Sequence, residues 1–256
     1  MNYGYAVGAS GVLAAMHRQD VAANNLANIN TVGFKIDVGA TVPRESARIE
    51  DNLFHLPSNR LLERLGAGVL LAPTRTSFKQ GALQTTDNEL DVAIQGDGFF
   101  IVGSGLDGAQ DARFTRDGRF VRSRDGYLVM ATGGAPVLDD NDRPIRLDPR
   151  QKVMIDGDGA VMQGGREVAR LGLADFADRR TLRKQGDNLF AAQSPAGRTR
   201  ATGRVVQNAV ENSAADPVAA MMAVQEAANA ASASLRMMQM HDELAGRAIS
   251  SLGRVN

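Results

Sequence analysis

Both ends of the chain carry apolar residues in alternating steps of four and three, the repeat of a helix that packs lengthwise against a partner. At the N-terminal end the repeat comprises Tyr5, Ala9, Val12, Met16, Gln19, Ala23 and Leu26. At the C-terminal end it comprises Met221, Val224, Ala228, Ala231, Leu235, Met238, Ala245, Ile249 and Leu252, with Asp242 as an interruption. The repeats predict one helix over residues 5–28 and a second that begins after the Asp216–Pro217 cap.

The middle of the chain has a different repeat, in which apolar residues alternate with a period of two, as in half-buried strands. In LDVAIQGDGFFIV (90–102), two such runs flank a Gly-Asp-Gly turn. Asp-Gly pairs also occur in RFTRDGRFV and VMIDGDGAVM, where they predict type I′ hairpin turns with positive φ. We therefore expect an α+β fold in which long N- and C-terminal α-helices form a coiled-coil-like bundle, with a β-rich domain in the central part of the chain.

These patterns divide the chain into four segments. Residues 1–35 form the N-terminal helix and an asparagine-rich end, and 36–75 form an extended connector with weak periodicity, three prolines and a short apolar piece at 61–65. Residues 76–208 form the central β-domain, and 209–256 form the C-terminal helix.

Composition excludes several classes of function. With 29 basic and 29 acidic residues the net charge is zero, so no long-range field attracts nucleic acid or an anionic membrane. The chain has no cysteine, its three histidines lie in separate segments, and its Asp-rich turns lack the bidentate Glu of a calcium loop. No phosphate loop or nucleophile elbow is present. We therefore expect no enzyme activity, cofactor, metal, nucleic acid or small-molecule substrate.

Two further features bear on location and surface. The chain has no apolar run of about 20 residues and no cleaved secretory signal, which by itself suggests a cytoplasmic protein. Arg198, Arg200 and Arg204 form a basic cluster without interleaved aromatic residues, so it is typical of a solvated strand edge.

The stretch AANNLANINTVGFK (22–35) places four asparagines within seven positions near the end of the first helix. An elaborate C-cap explains Asn28, Asn30 and Thr31, with Gly33 as the left-handed residue. It does not explain Asn24 and Asn25, which still lie within the helix, where asparagine is a poor helix former. Amides at those positions make sense if they face other protein and fix its register.

The run from Asn24 to Lys35 resembles the N-terminal signature of the bacterial flagellar rod and hook family. DVAIQGDGFFIV (91–102) and FTRDGRFVRSRDGYLV (114–129) are similar to its central β-domain, and GDNLF (186–190) to another of its landmarks. The length and the closing run HDELAGRAISSLGR are closer to the proximal-rod type than to the distal-rod type. Family members usually place an aromatic beside an acidic residue midway along the C-terminal helix, whereas residues 227–233 here are nearly all small.

The resemblance implies a structural subunit of the flagellar basal body that polymerises through its terminal helices into the axial tube that transmits torque from motor to hook. Its partners would be copies of itself, neighbouring axial proteins and the flagellar export apparatus. It would lie in the periplasmic rod after export without a cleaved signal, which replaces the cytoplasmic expectation. The expected subunit-interface residues are Tyr5, Val12, Met16, Asn24, Asn25, Leu26, Asn28, Asn30, Thr31, Gly33, Phe34, Lys35, Met221, Val224, Leu235, Met238, Asp242, Ile249 and Leu252.

Two alternatives of other classes stay open at this point. One is a secreted module whose β-domain binds a cell-wall saccharide and whose helices oligomerise it, although no Trp and three Tyr leave few rings for sugar stacking. The other is an enzyme that uses Asp and Glu of the β-domain, for which no constellation of residues argues.

Overall fold

A computed structural model describes residues 3–50, 52–55, 57, 66–105, 112–193 and 197–252. The chain divides into two compact units, of which the helical unit draws on residues 1–27, 37–75 and 216–256. The β unit draws on residues 28–36 and 76–215. The asparagine-rich end of the first helix is thus split between the two units. The apolar piece predicted at 61–65 lies outside the described residues.

The helical unit contains the two long helices that the terminal repeats predict. Helix α1 spans Tyr3–Ala27, a short α2 spans Ala47–Glu50 before a 3₁₀ turn at Leu53–His55, and α3 spans Pro217–Leu252. Strands β1 (Asp37–Pro43) and β2 (Val69–Thr76) pair as a two-stranded sheet. The predicted cap of α3 is confirmed, because Asp216 Oδ1 accepts the N–H groups of Val218 (2.8 Å) and Ala219 (3.1 Å). No described helix combines the length and apolarity needed to span a membrane.

The α+β class is confirmed, but the predicted coiled-coil-like bundle is wrong. In the described residues one N-terminal helix packs against one C-terminal helix, and the contact follows small residues instead of the predicted apolar seam. A Cβ added to Gly8 would lie 2.6 Å from Met238 Cγ, and one added to Gly11 would lie 3.0 Å from Ser234 Oγ. Glycine removes the side chain that would hold the helices apart, so the backbones approach closely and the large apolar residues lie elsewhere.

The β unit is built of short strands that are almost all antiparallel to their neighbours. They are β3 (Leu83–Thr85), β4 (Val92–Gln95), β5 (Phe99–Val102), β6 (Arg113–Thr115), β7 (Phe120–Arg122), β8 (Leu128–Met130), β9 (Val153–Ile155), β10 (Ala160–Gln163), β11 (Arg166–Arg170), β12 (Leu173–Phe176), β13 (Leu182–Lys184), β14 (Leu189–Ala192), β15 (Arg198–Arg200), β16 (Arg204–Gln207) and β17 (Ala209–Glu211).

Their largest sheet has the order β13-β14-β6-β5-β12-β15, and a three-stranded sheet has the order β11-β10-β9. Three two-stranded pairs, β16-β4, β17-β3 and β7-β8, complete the unit. Strand β15 lies at an edge of the largest sheet, so Arg198 and Arg200 lie on an edge strand, as the sequence predicts. Arg198 forms an ion pair with Asp142 at 2.9 Å.

The core of the β unit consists of two clusters of buried side chains. One contains Phe100 and Phe120 with the aliphatic residues of β4, β8 and β10. The other is mainly phenylalanine: Phe99, Phe114, Phe176 and Phe190 pack with Phe78. Their ring centroids lie 4.7–6.4 Å apart, and most of the ring pairs have the edge-to-face geometry that aromatic pairs prefer.

Of the two predicted Asp-Gly hairpins one is present and the other is wrong. The one present is not a type I′ turn, because only Gly159 of its turn residues 156–159 has positive φ. Strands β9 and β10 form a hairpin around residues 156–159, with Val161 opposite Ile155. RFTRDGRFV does not form one, because β6 pairs with β5 and β14 whereas β7 pairs with β8. Gly118 instead lies directly against the Val92 carbonyl, where no other residue has room, and its own carbonyl accepts the Val92 N–H at 2.9 Å.

Candidate subunit interface

The helical unit exposes large apolar side chains on both long helices. On α1 these are Tyr5, Leu13 and Met16. On α3 they are Val218, Met221, Met222, Leu235, Met237, Met240, Leu244 and Ile249. Single exposed apolar residues are ordinary, but eleven on one pair of helices are typical of an interaction surface. We call this set the apolar face.

The apolar face contains five of the predicted interface residues, Tyr5, Met16, Met221, Leu235 and Ile249. Val12, Leu26, Val224 and Met238 are half-buried, and Met238 lies against Gly8 within the helix pair. Asp242 is exposed, and Leu252 is the last residue of α3. The repeat therefore predicts the two helices correctly, but its residues include both side chains of the contact between α1 and α3 and side chains that are exposed.

Asn25 has a partner in its own chain. Its side-chain Nδ2 donates to the Asp37 carbonyl at 2.7 Å, and its Oδ1 accepts the Asp37 N–H at 2.9 Å. One amide thus satisfies both backbone groups of the first residue of β1, which explains an asparagine inside a helix. Of the other asparagines, Asn24 and Asn30 are exposed.

The turn after α1 is the predicted cap. The Asn28 carbonyl accepts the Thr31 N–H at 3.1 Å, and Thr31 Oγ1 donates to Asn28 Oδ1 at 3.2 Å. Gly33 has φ of +70°, as the sequence predicts for a left-handed residue. A Cβ at Gly33 would lie 2.5 Å from the Asp117 backbone nitrogen, so this residue must also be glycine for lack of space.

Residues 28–36, which we call the docking segment, bind the β unit mainly through their backbone. The Gly33 N–H donates to the Glu211 carbonyl at 2.7 Å, and the Phe34 carbonyl accepts the Ala214 N–H at 3.2 Å. Asn188 Nδ2 donates to the Val32 carbonyl at 2.9 Å. Backbone bonds on both sides make the segment an integral part of the β unit.

Side-chain contacts of the docking segment add to these backbone hydrogen bonds. Lys184 Nζ donates to the Lys35 carbonyl at 2.6 Å and lies 4.2 Å from the centre of the Phe34 ring. This position combines a hydrogen bond with a cation–π contact. Phe34 itself is buried, so it anchors the segment within the β unit.

Lys35, Glu211 and Arg116 form a buried charged cluster beneath the docking segment. Lys35 Nζ lies 2.5 Å from Glu211 Oε1 and donates to the Lys79 carbonyl at 2.8 Å. Arg116 Nη1 lies 3.1 Å from Glu211 Oε2, and all three side chains are at most 2% exposed. Two cations thus share one carboxylate, which also accepts the Gly81 N–H at 2.8 Å.

Burial and the shared carboxylate both affect the pKa values of the two cations. Burial lowers the pKa of Lys35 from its ordinary value, the attraction of Glu211 offsets part of the effect, and nearby Arg116 adds to it. Burial also lowers the pKa of Arg116, again against the attraction of Glu211. Glu211 is therefore the group on which the charge of the cluster depends.

The sequence singles out Gly33, Phe34 and Lys35 of the docking segment but not the residues that hold this segment in place, Glu211, Arg116, Asn188 and Lys184. Glu211 ends an apolar stretch, AVE, of which all three residues are buried, and a charge in such a position was the available signal. The others lie in turns and at strand ends, where polar residues are ordinary. Within the described ranges, no three His, Cys, Asp or Glu residues are grouped so as to hold a metal ion.

In a comparison with known proteins, two family models match this chain, one at the N-terminal helix and one in the β unit. The family model "Flagella basal body rod protein" matches residues 6–35, and "Flagellar hook protein FlgE/F/G D1 domain" matches residues 93–163. The first therefore covers most of α1 and the docking segment up to Lys35, and the second covers the strands from β4 to β10.

Whole-chain relatives extend the match. The flagellar basal-body rod protein FlgF of Caulobacter vibrioides is 34% identical over 252 residues, 98% of each chain. FlgF of Mesorhizobium japonicum is 32% identical over 250 residues, 96% of each chain. The rod protein FlgG of Agrobacterium fabrum is 31% identical over 216 residues, 75% of this chain and 74% of its own. This chain therefore belongs to the flagellar basal-body rod proteins, the structural subunits of the flagellar rod, and within them it is of the FlgF type.

Proposed function

We propose that this rod subunit assembles by packing the apolar face of α1 and α3 against the helical units of neighbouring copies and of other axial proteins. The observation that carries the proposal is the inverted arrangement of the helix pair, in which glycine and alanine are inside and Leu13, Met221 and Ile249 are outside. Covering such a face removes apolar surface from water, at about 25 cal/mol per Å².

A contact between different faces of identical subunits that does not close into a ring generates a helical tube. The apolar face extends over both α1 and α3, so one copy can offer a neighbour a different part of it from the part that the neighbour uses. We accordingly assign interface roles to Tyr5, Met16, Met221, Leu235 and Ile249, and internal roles to Gly8, Met238 and Asn25.

The role is structural, since rod proteins are not an enzyme family. We further propose that the chain reaches the periplasmic rod through the flagellar export apparatus, without a cleaved signal peptide. Membership of the basal-body family supports that location, and a chain free of cysteine forms no wrong disulfides in an oxidising compartment.

Photo-cross-linking tests the interface. A photoreactive phenylalanine analogue replaces Leu13 in the host's own copy of the chain, and swimming motility shows that assembly survives. After illumination of purified basal bodies, mass spectrometry identifies the cross-linked peptides, which we expect to include residues of other subunits. The matched control is the same labelled chain as a dilute monomer, where only intrachain products should form. Basal bodies in which position 13 yields intrachain products alone would rule out the proposed interface.

A further inference from the structure

Half of the chain's methionines lie on α3, and most of them are exposed. The chain has 10 methionines and no cysteine, and Met221, Met222, Met237 and Met240 of α3 are 45–60% exposed. Met16 of α1, at 52%, belongs to the same apolar face. We call these five residues the methionine face.

Thioether sulfur is the softest nucleophile in this cysteine-free chain, and its oxidation depends on access to solvent. A peroxide transfers one oxygen atom to the sulfur lone pair, the O–O bond breaks, and water leaves. The sulfur is oxidised by two electrons and the peroxide is reduced. The product, methionine sulfoxide, is polar, whereas its precursor is an apolar packing residue.

We propose that the methionine face is a site of reversible oxidation by hydrogen peroxide and that its sulfoxide form blocks packing of α1 and α3 against neighbouring subunits. The second part rests on the proposed function. Sulfoxides at these five positions would each place a strong hydrogen-bond acceptor where packing requires an apolar surface. Methionine sulfoxide reductases, supplied with a thiol reductant, would restore the thioether and with it the packing.

The structure supplies internal references for the chemistry. Met238 is on the same helix but lies against Gly8 inside the helix pair, and Met130 is 1% exposed within the core of the β unit. Met154, at 69%, is the most exposed of the large apolar residues on the β unit and lies outside the apolar face. Oxidation should therefore be fast at the methionine face and at Met154, slower at Met238, and slowest at Met130.

The first experiment treats the purified full chain with hydrogen peroxide and follows each methionine by peptide mass spectrometry. We expect the methionine face to oxidise at least tenfold faster than Met130. Equal rates at the two would overturn the proposed modification site, and this readout does not depend on assembly.

The second experiment measures self-association of the full chain by sedimentation velocity, before and after oxidation. We expect oxidation to weaken association at least tenfold, and reductase treatment to restore it. In a variant with leucine at all five positions, a change that conserves volume, peroxide treatment should leave the association constant at the value that the same variant has before treatment. The matched control, Met154→Leu, should remain as sensitive as the unmodified chain.

Oxidised chain that associates as strongly as untreated chain would refute the effect on packing. Untreated chain that never self-associates would instead count against the proposed function, while the oxidation rates would still decide whether the modification site exists.

Discussion

Replacing the buried carboxylate at position 211 gives the most direct test of how the docking segment is held. Glu211→Gln keeps the size of the side chain and removes its charge, so Lys35 and Arg116 are left as buried cations without the carboxylate that they share. Breaking a buried ion pair from one side costs about 3–5 kcal/mol. For a domain near 150 residues, a loss of about 1 kcal/mol lowers the melting temperature by roughly 2–4 °C. We expect a drop of roughly 6–20 °C in the unfolding of the β unit.

The matched variant is Lys35→Met, which removes one of the two cations. Arg116 and Glu211 then remain as a balanced pair, and the losses are the hydrogen bonds to Glu211 and to the Lys79 carbonyl, about 1–3 kcal/mol together. The double variant should be less destabilised than the sum of the two single ones by at least about 1 kcal/mol, because the residues share one network.

Hydrogen exchange followed over temperature is the suitable assay, because the chain has no tryptophan and peptides report on each of its two units individually. Peptides that cover β5 and β17 report on the β unit, and peptides of α1 report on the helical unit as an internal reference. If Lys35→Met proves as damaging to the β unit as Glu211→Gln, charge balance is not what holds the docking segment, and the reasoning from the buried cluster fails.

Four further outcomes follow from the same geometry. Because the pKa of Lys35 is lower in the folded chain than its ordinary 10.5, the unfolded chain binds more protons between those values, so stability relative to Lys35→Met should rise with pH across that window in urea titrations. Gly33→Ala should cost at least about 2 kcal/mol in thermal unfolding, because it adds left-handed strain to a clash with the Asp117 backbone. Asn25→Ala should cost about 1–3 kcal/mol and speed hydrogen exchange at the Asp37 amide, while Asn25→Asp, which keeps the acceptor, should be milder. Gly8→Leu should lower the helical circular dichroism signal, and adding Met238→Ala should restore part of it, since the two side chains compete for one space.

The sequence predicts the long helices well, because their caps and repeats are local. Asp216 and Pro217 define the start of α3, and Gly33 defines the left-handed residue after α1. Strand positions are also local, and the runs around Val92 and Phe100 form β4 and β5 as expected. Strand pairing is what the local pattern predicts wrongly: the Asp-Gly at 117 has the sequence of a hairpin turn, but β6 pairs with β5 and the distant β14, and β7 pairs with the next strand, β8.

The sequence predicts the N-terminal residues of the candidate site but not the residues with which they pair. Asn25 and Lys35 stand out because each is unusual in its local context. Their partners do not, since Asp37 contributes only backbone atoms and Glu211 is separated from Lys35 by 176 positions. Such pairing depends on tertiary contacts, which a local pattern does not contain.

The error in the predicted helix seam itself carries information about function. The repeat consists mainly of larger apolar residues, so it includes Tyr5 and Met16, which are exposed, and leaves out Gly8 and Gly11, which lie in the contact between α1 and α3. A helix of an isolated globular protein buries its largest apolar side chains, because these gain most from leaving water. Here the helix pair buries glycine and alanine and leaves the large side chains outside, which lowers the stability of the single chain. That arrangement becomes favourable once a second apolar surface covers the outer side chains. Because α1 and α3 do not bury their largest apolar side chains within one chain, we infer that they complete their packing in the assembled rod.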